Sequence, residues 1–371
     1  MRALSTQDLN DLLNGACILG SGGGGPLTIG AAMVKDIETF QTPVQLADVT
    51  DVPATAQMAV SAYVGSPDAA ASGNLNLDVG ARAWDILAGF QNTAFSYVLP
   101  GEVGAGNSLA PMTVAVRKQI PVVDAAGARR AIPHFLQCTY AGNHIPISPM
   151  AIAGPKQQVV LSQMDNSLAE PISRGAIQGV FNDATAVAFW SMTGETMSGA
   201  AVAGTTSYAI GLGAALRTAL AAGADPVETV LGYLGGMLLF TGTIVSAGST
   251  TQDTLDYGTV TLTDGMGETV TIFNQNENLI AWSNRQAQPL GMGPDLLCYL
   301  TTKGQVFSNA DFALLPKDAE VALIGVPSIA AMRTPYIIGQ FLKALVTTGY
   351  AGAYIPIEQL WSSGPKSPSQ G

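Results

Sequence analysis

Between Leu19 and Pro26 the chain reads Gly-Ser-Gly-Gly-Gly-Gly, with glycine at five of the six positions from Gly20 to Gly25. A segment with so few side chains adds nothing to a core. It suits places where the backbone takes positive φ or approaches another surface closely. Helical patterns flank it on both sides. Ser5-Thr-Gln-Asp8 is a capping-box start with Asp8 in place of the usual Glu, and Leu9, Leu12, Leu13 and Ala16 follow at helical spacing. Pro26 stands at a first helical position, and Ile29, Met33, Ile37 and Phe40 continue a second amphipathic helix. The run contains G-x-G-x-x-G, but the dinucleotide fingerprint needs a strand before that loop and an acid closing a second strand further on. A helix precedes it here, so no nucleotide cofactor is expected. Two readings stay open. Backbone N–H groups of Ser21, Gly22, Gly23 and Gly24 could cradle an anion or a developing oxyanion at the start of the Pro26 helix. Alternatively, the run is a sharp connection between helices.

The 371 residues suffice for two domains of roughly 100–200 residues each. Charged residues make up 12% and apolar residues 47%, with 42 glycines, which points to tightly packed elements and close turns rather than disorder. The net charge of −11 and the lack of any Lys/Arg run argue against nucleic acid as a partner, since a phosphate-backbone binder needs a basic stripe. Cys17, Cys138 and Cys298 are widely spaced and odd in number, and the opening MRALSTQDLND has no apolar signal core. A reducing, cytoplasmic setting is the expectation. Residues 196–216 and 229–246 are long and uncharged, but glycines and hydroxyl residues interrupt them and flanking Lys/Arg anchors are absent. They read as buried helices followed by a strand, not membrane spans.

Strands at 57–64, 94–99, 120–124 and 158–162 alternate with helices at 79–90 and 108–116, a pattern of a layered α/β domain over residues 1–165. A second domain over 166–361 starts with a helix at 165–180, a strand at 184–190, a helix from Thr205 to about residue 221, and another from Asp225-Pro226. Period-two runs at 258–263 and 268–273 around Asp264-Gly265-Met266-Gly267 form a hairpin signal. With strands at 279–282 and 296–301 they make about 240–316 a small all-β module. From Asp318 a buried strand and a helix near 336–347 restore α/β character, and residues 362–371 read as a disordered tail.

Glu102 and Asn107 lie in Gly101-Glu-Val-Gly-Ala-Gly-Asn107, after a strand and before a helix, where open α/β sheets bind ligands; Asn107 could equally be a helix N-cap. Asp124 ends the next strand, and Arg129, Arg130 and His134 follow. Acid, base and guanidinium together suit proton transfer or a carbonyl-rich ring, or form a local ion pair. His134, Cys138 and His144 could ligate zinc, although their spacing matches no compact metal motif. Glu277, flanked by Asn274, Asn276 and Asn278, could reach a ligand at a domain interface or belong to a turn. G-x-S-x-G is absent, so no serine gains support as a nucleophile.

Six stretches together resemble the S-methyl thiohydantoin desulfurase-like family, long catalogued as a hydantoinase-associated domain of unknown function. They are Gly15-Ala-Cys-Ile-Leu-Gly-Ser-Gly-Gly-Gly-Gly25, Gly101-Glu102 through Asn107, Val122-Val-Asp124 through Arg130 and Pro133, Gly204-Thr-Thr-Ser207, Asn276-Glu-Asn-Leu279, and Pro294-Asp-Leu-Leu297. The resemblance implies an N-terminal α/β domain and a C-terminal part with a β-barrel-like module. It also implies hydrolytic loss of sulfur from a cyclic-imide-like ring, giving a hydantoin. On that reading Glu102 or His134 is the general base, Asp124 is a further catalytic residue, the backbone N–H groups of Ser21–Gly24 hold developing charge, Asn107 and Arg130 orient the ring, and Glu277 binds ligand. Ala126 and His134 depart from the acids usual at those positions. They favour the alternative of a non-catalytic subunit or ligand-binding partner of a hydantoinase- or oxoprolinase-type complex. A divalent metal and a homo-oligomer stay open.

Overall fold

The computed structural model describes residues 1–72 and 76–363. It is a mixed α/β molecule built on two large sheets. In the first, Gln45–Ala47, Val122–Val123, Tyr97–Leu99 and Gln57–Gly65 run parallel. Ala184–Thr193 then adds antiparallel to Gln57–Gly65, followed by Met150–Ala153 and Gln158–Leu161, and Arg2–Ala3 closes the other edge. The parallel strands are fully apolar where covered on both faces, as in Met58, Val60, Val98, Leu99, Val122 and Val123. Their C-terminal ends lead into Ser66, the Gly101–Asn107 loop and Asp124, which therefore share one rim of the sheet. The Ala184–Thr193 strand carries residues from beyond 165 into this sheet, so the sheet crosses the boundary expected there. The Met150–Ala153 strand is an element that the sequence pattern did not suggest.

The second sheet has seven antiparallel strands in the order Gly291–Met292, Glu277–Ser283, Thr269–Gln275, Leu255–Thr263, Met237–Gln252, Glu320–Val326, Leu296–Thr301. Its two ends lie against each other, making a nearly closed barrel. The hairpin around Asp264–Gly267 forms as expected, with Thr263 opposite Thr269. The sheet reaches past the 240–316 window at both ends. Val321–Val326 is not a return to α/β layering but the strand that bridges Met237–Gln252 and Leu296–Thr301. Asp256 clamps the barrel to the first sheet's rim by accepting from Ser66 Oγ (2.7 Å) and the Asp68 N–H (2.9 Å).

Both long uncharged stretches resolve into short elements. Residues 196–216 hold parts of helix Gly194–Ala200, strand Val202–Ala203 and helix Thr205–Ala222; residues 229–246 hold the end of helix Pro226–Leu234 and the start of strand Met237–Gln252. Among the described residues no helix is long and apolar enough to cross a membrane. Their small residues serve packing. A Cβ on Gly213 would lie 1.9 Å from the Asp11 carbonyl oxygen, and one on Gly15 would lie 1.9 Å from that of Ala209. Helices Thr6–Leu19 and Thr205–Ala222 thus cross backbone to backbone, locked by Arg217 paired with buried Asp11 at 2.8 and 3.0 Å. Residues 362 and 363, expected in the tail, finish helix Ile357–Ser363, and residues 364–371 lie outside the described residues.

Two substitutions separate these roles of glycine. Gly213→Ala is expected to destabilise the protein by about 2–3 kcal/mol, because backbone atoms must move apart. Gly175→Ala, in helix Asn166–Phe181 with open space around its Cβ, is expected to stabilise by about 0.5–1 kcal/mol. Urea unfolding of both variants checks the contrast.

Candidate active site

The glycine run ends helix Thr6–Leu19, which Ser5 and Asp8 start with a complete capping box, and leads through Pro26 into helix Leu27–Glu38. Gly22, Gly24 and Gly25 have φ of 90°, 76° and 97°. Positive φ explains those three, and close approach explains the rest of the pattern. A Cβ on Gly24 would sit 2.4 Å from Gly104 Cα, and one on Gly23 would sit 2.0 Å from Glu277 Oε1. The Gly24 carbonyl accepts from the N–H groups of Gly106 (2.9 Å) and Asn107 (3.1 Å). Two glycine-rich loops therefore lie backbone against backbone, with Glu277 seated on the first of them. Glu277 arrives there from the barrel, directly after Asn276, the positive-φ residue that turns the chain between strands Thr269–Gln275 and Glu277–Ser283.

Beside this contact lies a cavity of about 840 Å³, its open mouth included. Gly24, Gly25, Glu102, Asn107, Asn276 and Glu277 line it, together with Arg174, Tyr63 and an apolar wall that includes Ile29, Met33, Phe135, Phe189 and Trp190. Glu102 Oε1 accepts from Asn107 Nδ2 and Oε2 from the Ile132 N–H, both at 2.7 Å. Burial pushes the Glu102 carboxyl up to about 7, against the pull of Asn107, Ile132, Arg130 and Arg174. Glu277 Oε1 accepts from the Gly24 N–H at 3.2 Å. Burial first, and then the neighbouring Glu102, hold the Glu277 carboxyl well above its usual range. The cavity thus brings together two buried carboxyls, both held above the usual carboxylate range in different hydrogen-bond surroundings, the kind of environment that tunes acid and base groups.

Other candidates from the sequence sit elsewhere. Ser21 docks the glycine loop on the barrel: its Oγ donates to the Leu297 carbonyl (3.0 Å) and accepts from the Leu297 N–H (2.8 Å). The Ser21 and Gly23 N–H groups bond Ile18 and Gly20 within their own turn, and that of Gly24 serves Glu277. The Ser21–Gly24 run is therefore a seat for Glu277, not an open oxyanion cradle. Gly22 and Gly23 do not line the cavity; Gly24 and Gly25 do. Asn107 is held at both ends, its Oδ1 accepting from the Tyr63 N–H and its Nδ2 donating to Tyr63 and Glu102, so it positions Glu102 instead of contacting a ring freely.

Arg130 is fully buried, and its guanidinium donates to the carbonyls of Ala131, Pro294, Asp295 and Asn278, away from the cavity. It struts the barrel and orients no ligand there. Asp124 accepts from the N–H groups of Thr206 (2.9 Å) and Ser207 (3.0 Å) and from Ser207 Oγ, which caps helix Thr205–Ala222. It too lies outside the cavity lining. His134 Nδ1 lies 2.9 Å from Glu170 Oε1 and its Nε2 lies 3.0 Å from Gln275 Nε2. Burial alone would raise Glu170, but Arg174 and His134 outweigh it and hold that carboxyl below its usual value. His134, Cys138 and His144 do not converge: the Cys138 thiol donates to the Phe135 carbonyl and the His144 ring meets Tyr336. Among the described residues no group of three or more His, Cys, Asp or Glu is placed to hold a metal ion.

Sequence reasoning missed Trp190 and Arg174. Trp190 sits at φ 45° in strand Ala184–Thr193, where the register against Gln57–Gly65 slips between Met58 and Val60. Positive φ for so bulky a residue costs about 1–3 kcal/mol and is invisible without the partner strand.

A model for the S-Me-THD-like N-terminal domain matches residues 7–164, and one for the S-Me-THD-like C-terminal domain matches residues 164–340. The chain belongs to the S-Me-THD-like family. A crystal structure of a protein from Chromobacterium violaceum, a structural genomics target, is 29% identical to this S-Me-THD-like chain, with a TM-score of 0.85 over 96% of this chain and 100% of the other. Among curated proteins nothing matches.

The raised carboxyl of Glu102 makes stability depend on pH. The folded state holds this proton more tightly than the unfolded chain, so the contribution is complete below about pH 4.5 and is lost as pH rises through about 7. Glu102→Gln is expected to flatten this slope, by on the order of 3 kcal/mol between pH 4.5 and 8. Denaturation of both proteins across that range reads it directly.

Proposed function

We propose that this S-Me-THD-like protein is a hydrolase of thiohydantoin- or hydantoin-like rings, with Glu102 as general base and Glu277 as general acid. The observation that carries this reading is the pairing of Glu102 and Glu277 in one cavity, the first carboxyl pushed up to about 7 and the second held well above its usual range by burial and by Glu102. On an S-methyl thiohydantoin, Glu102 takes a proton from water while the water oxygen bonds the ring carbon that carries sulfur. Glu277 gives its proton to the adjacent ring nitrogen. The tetrahedral carbon then returns its hydroxyl proton to Glu277 as the C–S bond breaks, and Glu102 protonates the departing sulfur. Water is consumed, and hydantoin and methanethiol are formed, without oxidant or reductant.

Asn107 and the Ile132 N–H fix both Glu102 oxygens, and the Gly24 N–H fixes Glu277, so neither base nor acid must reorganise during the reaction. The two departures from the family pattern do not weaken the reading. Ala126 is buried in a short pairing with Val202, and His134 is not among the residues that line the cavity.

Methanethiol release from an S-methyl thiohydantoin, with hydantoin detected by mass, tests the proposal. The rate is expected to rise with pH through about 7 as Glu102 loses its proton, and Glu102→Gln is expected to lower kcat by about 10²–10⁴-fold. Turnover that survives Glu102→Gln unchanged contradicts the assignment. Binding of the ring without any turnover would instead support a ligand-binding subunit.

A further inference from the structure

Of the nine arginines in the chain, eight pair with a carboxylate or donate to backbone carbonyls. Arg129 differs. Its guanidinium has no acceptor among the described residues, and its Nε is closed off from solvent without a partner. What holds it is a ring: the guanidinium carbon lies 4.4 Å from the centroid of Tyr208. Such stacking covers the face of a guanidinium and leaves its in-plane N–H donors unused. Arg129 is half-buried, so the side chain is fixed in place and does not trail in solvent. In a chain with 27 Asp and Glu against 16 Lys and Arg, a fixed cation without an acid asks for an explanation.

Arg129 and Tyr208 line a cleft of about 380 Å³, its open mouth included, together with Ser328. The cleft lies where helix Thr205–Ala222 begins, helix Thr6–Leu19 ends and strand Leu296–Thr301 starts. The hydroxyls of Tyr208 and Ser328 have no partner among the described residues, and neither is sealed from solvent; the same holds for the terminal nitrogens of Arg129. Ser328 is otherwise buried, at 7% exposure, so the space its hydroxyl reaches is this cleft. Three uncommitted donors thus border one space. No Asp or Glu stands among its described lining residues, and the remaining walls are apolar, Leu19, Leu296 and Met332 among them. Arg130 also borders it, but its guanidinium is committed to four carbonyls.

We propose that this cleft binds a small organic monocarboxylate with an apolar body, the carboxylate held by Arg129 and by the Tyr208 and Ser328 hydroxyls. A guanidinium presents paired N–H donors that match the two oxygens of a carboxylate. One free cation balances one negative charge. A dianion such as phosphate would bring a second charge against apolar walls with nothing to compensate it. The apolar remainder of the ligand covers Leu19, Leu296 and Met332. The volume suits such a molecule, since small-ligand sites run from roughly 300 to 1,000 Å³. None of the residues that line the cleft lines the cavity around Glu102, so this is a second site, and its test does not depend on the hydrolase reading.

Calorimetry on the full chain at pH 7 compares hexanoate with hexanamide, which keeps the apolar body without the charge, and with acetate, which keeps the charge without the body. Hexanoate is expected to bind at least roughly tenfold more tightly than either. Arg129→Gln is expected to lower hexanoate affinity by roughly tenfold or more. Tyr208→Phe keeps the stacked ring and is expected to lower it roughly threefold. Methyl NMR on the unaltered protein locates the ligand even if those variants fold poorly. Saturating hexanoate is expected to shift the ε-methyl signal of Met332, assigned with Met332→Leu, and to leave that of Met33, in the cavity beside Glu102, in place. The proposal is overturned if hexanoate shows no saturable binding, if hexanamide or acetate binds as well, if folded Arg129→Gln keeps full affinity, or if the Met33 signal moves and the Met332 signal does not.

Discussion

Gly24 and Gly104 meet backbone to backbone, closer than any side chain would allow, and the site follows from that contact. One loop belongs to the turn between the first two helices, the other to the rim of the parallel strands. Pressed together, they bring Glu102 to one side of the cavity, and Gly23 leaves the space into which Glu277 reaches from the barrel. A methyl group at Gly23 or Gly24 would therefore disturb carboxyls that are remote in sequence. The crossing of helices Thr6–Leu19 and Thr205–Ala222 supports the contact from behind, again through glycine.

Electrostatics then divides the labour of the two carboxyls. Both are buried, which disfavours charge on each. Glu102 has compensation from Asn107 and the Ile132 N–H, and it can ionise near neutrality. For Glu277, burial and the acidic neighbour outweigh Arg130 and the Gly24 N–H, and the carboxyl is held well above its usual range. The difference arises from a few hydrogen-bond donors and not from residue type.

Much of this frame is legible in the sequence, for identifiable reasons. Helix periodicity, the Ser5 cap and Pro26 place the glycine run between helices, and period-two runs mark the hairpin at Asp264–Gly267. Glu102 and Glu277 stand out because each is an acid in a segment of glycine or asparagine. What fails is what depends on partners distant in the chain. Asp124 and Arg130 look like site residues because they are charged and near a strand end. Only the fold shows that Asp124 caps the Thr205–Ala222 helix and that Arg130 is surrounded by carbonyls. Trp190 leaves no local trace, since its bulge exists only relative to Gln57–Gly65.

The central claim is that one cavity holds a carboxylate base beside a carboxylic acid. Carbon-detected NMR titration of the side-chain carboxyls, assigned with Glu102→Gln and Glu277→Gln, measures it most directly. Glu102 is expected to titrate with a midpoint of about 7 while Glu277 stays protonated through neutrality. Two carboxyls that both ionise near the ordinary value of about 4.3 would contradict the account.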